Sequence, residues 1–351
     1  MRVNFDGGRP FAAIGAPIAR ALAFLIAAAP VLAVAPAHAR DFYQGKTIEF
    51  VVSEGVGGGS DILSRLVGKH IGRFLPGEPS IVTKNMPGAG GLAGANYLYN
   101  LGARDGTSVG VVEESLYATQ LFHMPGLMAD IGRFNWIGRI MSNNAAMFAW
   151  HSAAVKKIDD AYKTQLVVAT PGLSSQMRMT LLRRITHLDL KLVVGHSGTP
   201  EAIVAMERGE VDALTAPWKV FRVGHADWLR DKTVNVILQT GMTPAPDLPG
   251  VPRVVDLAQN NEQRQILELI SLGAEFGRSI VAPPGVPPER VAELRAAFAA
   301  TIQDPQFQAD ARTAQLDLDP LTGAGIQAVV DQAFRYPAEI VAKAAELARL
   351  Q

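Results

Sequence analysis

From Lys46 onward, apolar residues fall into short runs that alternate with amphipathic stretches. Residues 46–52 are rich in β-branched side chains between Gly45 and Gly55, which predicts a buried strand. Leu63, Leu66, Val67, His70, Ile71 and Phe74 then recur at three-to-four spacing. That spacing predicts a helix, capped by Ser60 and stopped at Pro76-Gly77. Residues 80–84 predict a second strand, 92–101 a second helix and 107–112 a third strand. This βαβαβ order implies a parallel sheet covered on both faces, which binds ligands at the carboxyl ends of its strands.

The alternation resumes further along, with strands expected at 147–150, 166–170, 192–195, 211–215 and 234–239, and a helix at 200–208. The tail reads as mostly helical. Pro288 suits a first helical position, followed on one face by Val291, Leu294, Phe298 and Ile302. Thr322 is expected to cap the last helix, which buries Ile326, Val329, Val330, Ala333 and Phe334. The proline-rich segments 244–252 and 283–288 read as turns.

The first forty residues follow another pattern. Arg2, Arg9 and Arg20 lead into an apolar run over 21–37, and Ala37-His38-Ala39 is an A-x-A cleavage signature. This predicts a cleaved signal peptide over 1–39 and a mature chain of 312 residues exported to the periplasm. The run would reach about 25 Å as a helix, short of a roughly 30 Å bilayer core. With no cysteine in the chain, a lipid anchor is excluded as well.

Composition narrows the chemistry. Of 351 residues, 48% are hydrophobic and 19% charged, which suits a globular chain of about two domains. Thirty-three basic against 33 acidic groups leave no net charge, which argues against a nucleic-acid partner. The absence of cysteine excludes disulfides, thiolate metal sites and cysteine nucleophiles. The histidines are scattered without metal-ligand spacing, so neither a metal nor a cofactor is expected.

Two glycine-rich loops carry the candidate chemistry. Gly55-Val56-Gly57-Gly58-Gly59-Ser60-Asp61 joins the first strand to its helix, and Pro87-Gly88-Ala89-Gly90-Gly91 follows the second strand. Glycine lets backbone N–H groups approach a ligand without a Cβ, and a helix N-terminus favours negative charge. Together the loops suit a carboxylate; singly, each serves equally as a tight turn. Neither is a nucleotide loop, because the third glycine of a dinucleotide fingerprint is missing and no Gly-Lys-Ser/Thr occurs. Glu54 and Glu113-Glu114 follow the first and third strands, where they suit a cation or amine, or simply a solvated strand end. Gly106-Thr107-Ser108-Val109-Gly110 matches the G-x-S-x-G of serine hydrolases, but Ser108 enters a strand, whereas a nucleophile elbow leaves one.

The runs Gly57-Gly58-Gly59-Ser60-Asp61, Asn85-Met86-Pro87-Gly88-Ala89-Gly90-Gly91 and Asp105-Gly106-Thr107 resemble those of the tripartite tricarboxylate transporter substrate-binding protein family. So do Gly209-Glu210-Val211-Asp212, Asp247-Leu248-Pro249-Gly250-Val251-Pro252 and Ala282-Pro283-Pro284-Gly285-Val286-Pro287, in the same order. The likeness covers nearly all of the mature chain and points to a divergent branch. It implies an α/β periplasmic binding protein of type II, a Venus flytrap whose lobes are mostly parallel sheets flanked by helices. Lobe 1 would comprise 40–142 plus 277–351, and lobe 2 would comprise 143–276. Such a protein is a binder and not an enzyme. It captures a small carboxylate- or amide-bearing solute and delivers it to a two-subunit membrane permease. A sensing protein acting on a receptor kinase would carry the same features, and a monomer is expected.

The resemblance also assigns site residues. Gly57, Gly58, Gly59, Ser60 and Asp61 would bind a ligand carboxylate, with Gly88, Ala89, Gly90, Glu114 and Ser115 on the same side. Ser174 and Ser175, with Ala216 and Trp218, would line the second lobe. The family carries an aromatic residue where Glu54 stands and a histidine where Arg178 stands. Glu54 would repel a carboxylate at close range, which admits a ligand bearing an amine or amide. Arg178 either grips a ligand carboxylate with its planar fork or is a surface helix charge. Arg278, at the presumed return crossing, is expected to pair with Glu54 or the ligand.

Overall fold

The computed structural model describes residues 42–196 and 198–349; the signal peptide expected over 1–39 lies outside them. Alternation along β1 (Thr47–Val52) buries Phe50 in one core and Val51 in another, so the strand is covered on both faces. It leads through α1 (Gly59–Ile71), β2 (Ser80–Asn85), α2 (Leu92–Leu101), β3 (Ser108–Val112) and α3 (Ser115–Leu121) to β4 (Asn135–Met141). The chain then enters a second sheet through β5 (Ala145–Trp150), β6 (Leu166–Ala169), α4 (Leu173–Thr186), β7 (Leu190–Val193), α5 (Thr199–Glu207) and β8 (Ala213–Pro217). Helices α6 (Trp218–Gly224) and α7 (Ala226–Arg230), β9 (Val234–Gln239) and α8 (Asn261–Phe276) follow. The return comprises β10 (Arg278–Ala282), α9 (Pro288–Gln303), α10 (Pro305–Thr313), β11 (Leu321–Thr322), α11 (Gly323–Ala333) and α12 (Ala338–Ala348).

The two sheets are wired alike. The first runs β2-β1-β3-β10-β4-β11 and the second β7-β6-β8-β5-β9. In each, three parallel strands adjoin an antiparallel one, β10 or β5, that enters the sheet from a crossing. The strand order reverses beside β1 and beside β6, so each sheet has a topological switch point at its carboxyl edge. The fold is therefore α/β and two-lobed, each lobe a mixed sheet with three parallel strands on one side, flanked by helices. Among the described residues no helix is long and apolar enough to cross a membrane.

One core packs α1 and α9 on the first sheet through Leu63, Val67, Leu294 and Phe298. A second covers that sheet's other face and continues without a break to Leu181 and Leu182 on α4 and Val168 of the second sheet. Helix α12 lies in this shared core against both α8 and α4, and Arg184 on α4 donates to the Leu347 carbonyl at 2.9 Å. The tail expected wholly in the first lobe thus also touches the second.

Several local expectations change. Gly58, not Ser60, is the N-cap of α1, and Ser60 lies in the first turn, where its N–H meets a carboxylate. Strand β4 was not anticipated because it carries Arg139, which is buried and paired with Glu275 and Asp319. Helix α4 was hidden by its polar composition. Thr322 does cap α11, accepting from the Gly325 N–H at 3.1 Å, but α12 follows it and Phe334 is exposed.

The chain leaves the first sheet at Met141, enters the second at Ala145, and regains the first at Arg278. Gly277 makes the return with φ 45° and ψ −131°, and a Cβ there would lie 2.0 Å from the Met141 carbonyl oxygen. Both the backbone region and the contact demand glycine. Gly277→Ala is expected to cost more than about 2 kcal/mol in urea unfolding. Gly250→Ala, where a Cβ meets nothing within 4 Å, should stay within about 0.5 kcal/mol. Equal midpoints for the two variants would remove the constraint.

Candidate functional site

The turn from β1 into α1 is organised by two carboxylates. Asp61, 2% exposed, accepts from the Gly57 N–H at 2.9 Å with Oδ2, and from Arg65 Nε at 3.0 Å and Asn85 Nδ2 at 2.8 Å with Oδ1. Burial by itself would raise its pKa, but these hydrogen bonds and the Arg65 charge bring it down to about 2. Glu54 folds back over the same turn, and its Oε2 accepts the Ser60 N–H at 2.6 Å. A Cβ on Gly58 would lie only 2.4 Å from Glu54 Cδ, so glycine makes room for the carboxylate. An amide expected to meet a ligand carboxylate is therefore held by the chain's own.

Ser60 links this turn to the next strand end. Its hydroxyl donates to Glu113 Oε1 at 2.7 Å and accepts from Arg278 Nε at 3.0 Å. Arg278 thus reaches Glu113 through Ser60 and makes no ion pair with Glu54 among the described residues. Burial pushes the Glu113 carboxyl above its usual range, Arg278 and Ser60 pull it back, and Glu54 and Glu114 add to the rise.

A cleft of about 460 Å³ opens beside these groups. The first lobe contributes Glu54, the loop 88–91, Glu113, Glu114 and Ser115; Ser174 comes from α4, and Asn143 from the crossing. Gly88, Ala89, Gly90 and Gly91 all have positive φ, at 138°, 48°, 64° and 95°. The N–H groups of Gly91 and Ala93 bond to the Gly88 carbonyl. Those of Ala89 and Gly90 have no acceptor among the described residues. Ser115 steadies the loop, donating to the Gly90 carbonyl at 2.8 Å.

Arg178 is not a surface charge. It is buried and donates from Nη2 to Glu114 Oε1 at 3.3 Å, tying α4 to the first lobe. Glu114 Oε2 is shielded from solvent and has no partner among the described residues.

Other expected residues lie elsewhere. Gly57 and Gly59 are exposed on the turn, whereas Asp61 is buried beneath it. Ser175 bonds to the Thr215 hydroxyl on β8. Ala216 is buried in β8 opposite Ala146. Trp218 donates its indole N–H to Asp247 at 2.9 Å and lines a second cleft with Arg139, Lys219 and Arg222. Burial lowers the Lys219 pKa, against the pull of Asp317 and with help from Arg278 and Arg222. Ser108 is buried and its Oγ accepts the Ala103 N–H at 3.0 Å, so the hydrolase reading has no free nucleophile. Among the described residues no group of histidine and carboxylate side chains could hold a metal ion. Sequence reasoning missed Asn143, Thr119, Met124 and Pro125 as wall residues; only Asn143, at the crossing, carried a signal.

A carboxyl with its pKa depressed in the folded chain adds stability that is complete above the unfolded value near ~4 and lost as pH falls through about 2. Asp61→Ala should therefore cost roughly 1–3 kcal/mol at neutral pH. Asp61→Asn should flatten the acid limb of the stability curve between those values. An acid limb identical to that of the parent would sink this account of the turn.

No protein-family model matches the sequence, and no curated protein matches it. Solved structures do. A TctC solute-binding protein from Polaromonas, solved without ligand, superposes with a TM-score of 0.66 at 18% identity, over 86% of this chain and 99% of that one. MatC from Rhodopseudomonas palustris, solved with bound malate, gives 0.59 at 22% identity over 87% and 99%. An R. palustris protein solved with adipate gives 0.60 at 18% identity over 86% and 97%. At these identities the likeness is one of fold, and this chain has the two-lobed α/β fold of the TctC-type periplasmic solute-binding proteins.

Proposed function

We propose that the chain is a periplasmic solute-binding protein that encloses a small carboxylate-bearing organic solute between its lobes. The observation that carries this reading is the cleft of about 460 Å³ at the carboxyl edge of the first sheet, with Ser174 facing it from the second lobe. A site of that size suits a small molecule. One end of the solute, a carboxylate, would accept from the N–H groups of Ala89 and Gly90, beside the N-terminus of α2. The malate and adipate found with two proteins of similar fold are consistent with such an end.

Binding then works by closure. A solute touching both the loop 88–91 and Ser174 gains its contacts only when the lobes approach, so it shifts the open–closed equilibrium. The enclosed form would be the one handed to a two-subunit permease. In this scheme the residues of the cleft hold and release the solute.

Thermal unfolding of the purified protein tests the reading against carboxylates, amino acids, amines and amides. A solute at a hundred times its dissociation constant adds about 2.7 kcal/mol, a rise of several degrees. Ser174→Tyr should weaken any such solute at least tenfold while leaving the ligand-free midpoint within a few degrees. A bound solute should also reduce the radius of gyration in X-ray scattering. A flat screen, or binding untouched by Ser174→Tyr, would count against the cleft.

A further inference from the structure

The cleft wall has a one-sided charge. Three carboxylates line it, from Glu54, Glu113 and Glu114, and none of its described wall residues is lysine, arginine or histidine. Two guanidiniums that bond to residues of the wall or the adjoining turn stand outside the wall. Arg178 is engaged with Glu114 Oε1, and Arg278 is turned to the Ser60 hydroxyl. Counted formally, three carboxylates against two guanidiniums give these five groups a net charge of −1.

The helix that would offset this charge is already used. Glu54 accepts the Ser60 N–H in the first turn of α1, so its carboxylate stands where a ligand anion would otherwise meet the helix end. The Glu54 carboxylate fills the space that a Cβ on Gly58 would take. A dicarboxylate seated in this cleft would place its second charge among like charges, with no cation of the wall to pair with. Glu54 Oε2 and Glu113 Oε1 are engaged by Ser60, but Glu54 Oε1 and Glu113 Oε2 have no hydrogen-bond partner among the described residues and remain as acceptors for a donor instead.

We infer that the solute carries a cationic nitrogen, an ammonium or guanidinium, seated against Glu54 and Glu113 while its carboxylate rests on the loop 88–91. The inference rests on the solute-binding reading and names its ligand as an aminocarboxylate. Its charges would be complementary along the cleft: N–H donors at one end, carboxylate acceptors at the other. Cations of this type gain both the charge and the hydrogen bonds, whereas an uncharged amide gains only the bonds.

Matched solutes separate the two ideas. The purified protein is titrated calorimetrically with succinate, 4-aminobutanoate and 1,4-diaminobutane, and with the six-carbon series adipate, 6-aminohexanoate and 1,6-diaminohexane. In at least one series the aminocarboxylate should bind at least tenfold more tightly than the dicarboxylate. Glu54→Gln and Glu113→Gln, each checked for an intact thermal transition, should each reduce that preference at least threefold, with the dicarboxylate gaining. A structural role alone would weaken both solutes together. Dicarboxylate binding equal to or tighter than aminocarboxylate binding overturns the inference and leaves the solute-binding function standing. No binding in either series overturns the inference as well, and the wider thermal screen then decides whether the solute-binding reading falls with it.

Discussion

Two chain crossings set the terms for everything at the cleft. The polypeptide passes from the first sheet to the second between Met141 and Ala145 and returns at Gly277, where backbone meets backbone. Each crossing feeds a strand, β5 or β10, that pairs beside the third parallel strand of its sheet. The carboxyl edges of both sheets are thereby anchored near the same short stretch of chain. A side chain such as Ser174 faces the first lobe's loops because of that wiring, and not because of its own sequence neighbours.

Cohesion between the lobes has a second source in the continuous apolar core through α8, α12 and α4. The tail helix fills this seam, and the Arg178–Glu114 pair lies at its cleft end. A buried ion pair contributes little net stability once desolvation is counted, but losing one partner is costly.

Electrostatics around α1 give the cleft its character. Asp61 stiffens the turn, Glu54 covers a helix amide, and the Ser60 hydroxyl joins Arg278 to Glu113. A glycine-rich turn at a helix N-terminus is by itself a general anion seat. Here a residue four positions before the N-cap reverses that tendency by supplying the anion from within. The same backbone arrangement can thus favour opposite ligand charges, depending on one side chain.

The chain's local patterns determined a good deal. Short apolar runs and three-to-four spacings placed β1, β3, α1 and α9 close to their observed bounds, because those elements bury apolar side chains. The glycine loops and the acidic strand ends were equally visible, since strand-to-helix turns announce themselves by residue type. Strand β4 escaped because its buried Arg139 is satisfied only by Glu275 and Asp319, far away in the chain. Arg178 looked the same whether gripping a ligand or facing solvent until α4 brought it to Glu114. Trp218 and Ser175 followed the right strands but face other partners. Sequence reports which side chains occupy an element's end; only the packing of distant elements decides which charges meet there, because Coulomb and hydrogen-bond contacts depend on separations of a few ångströms.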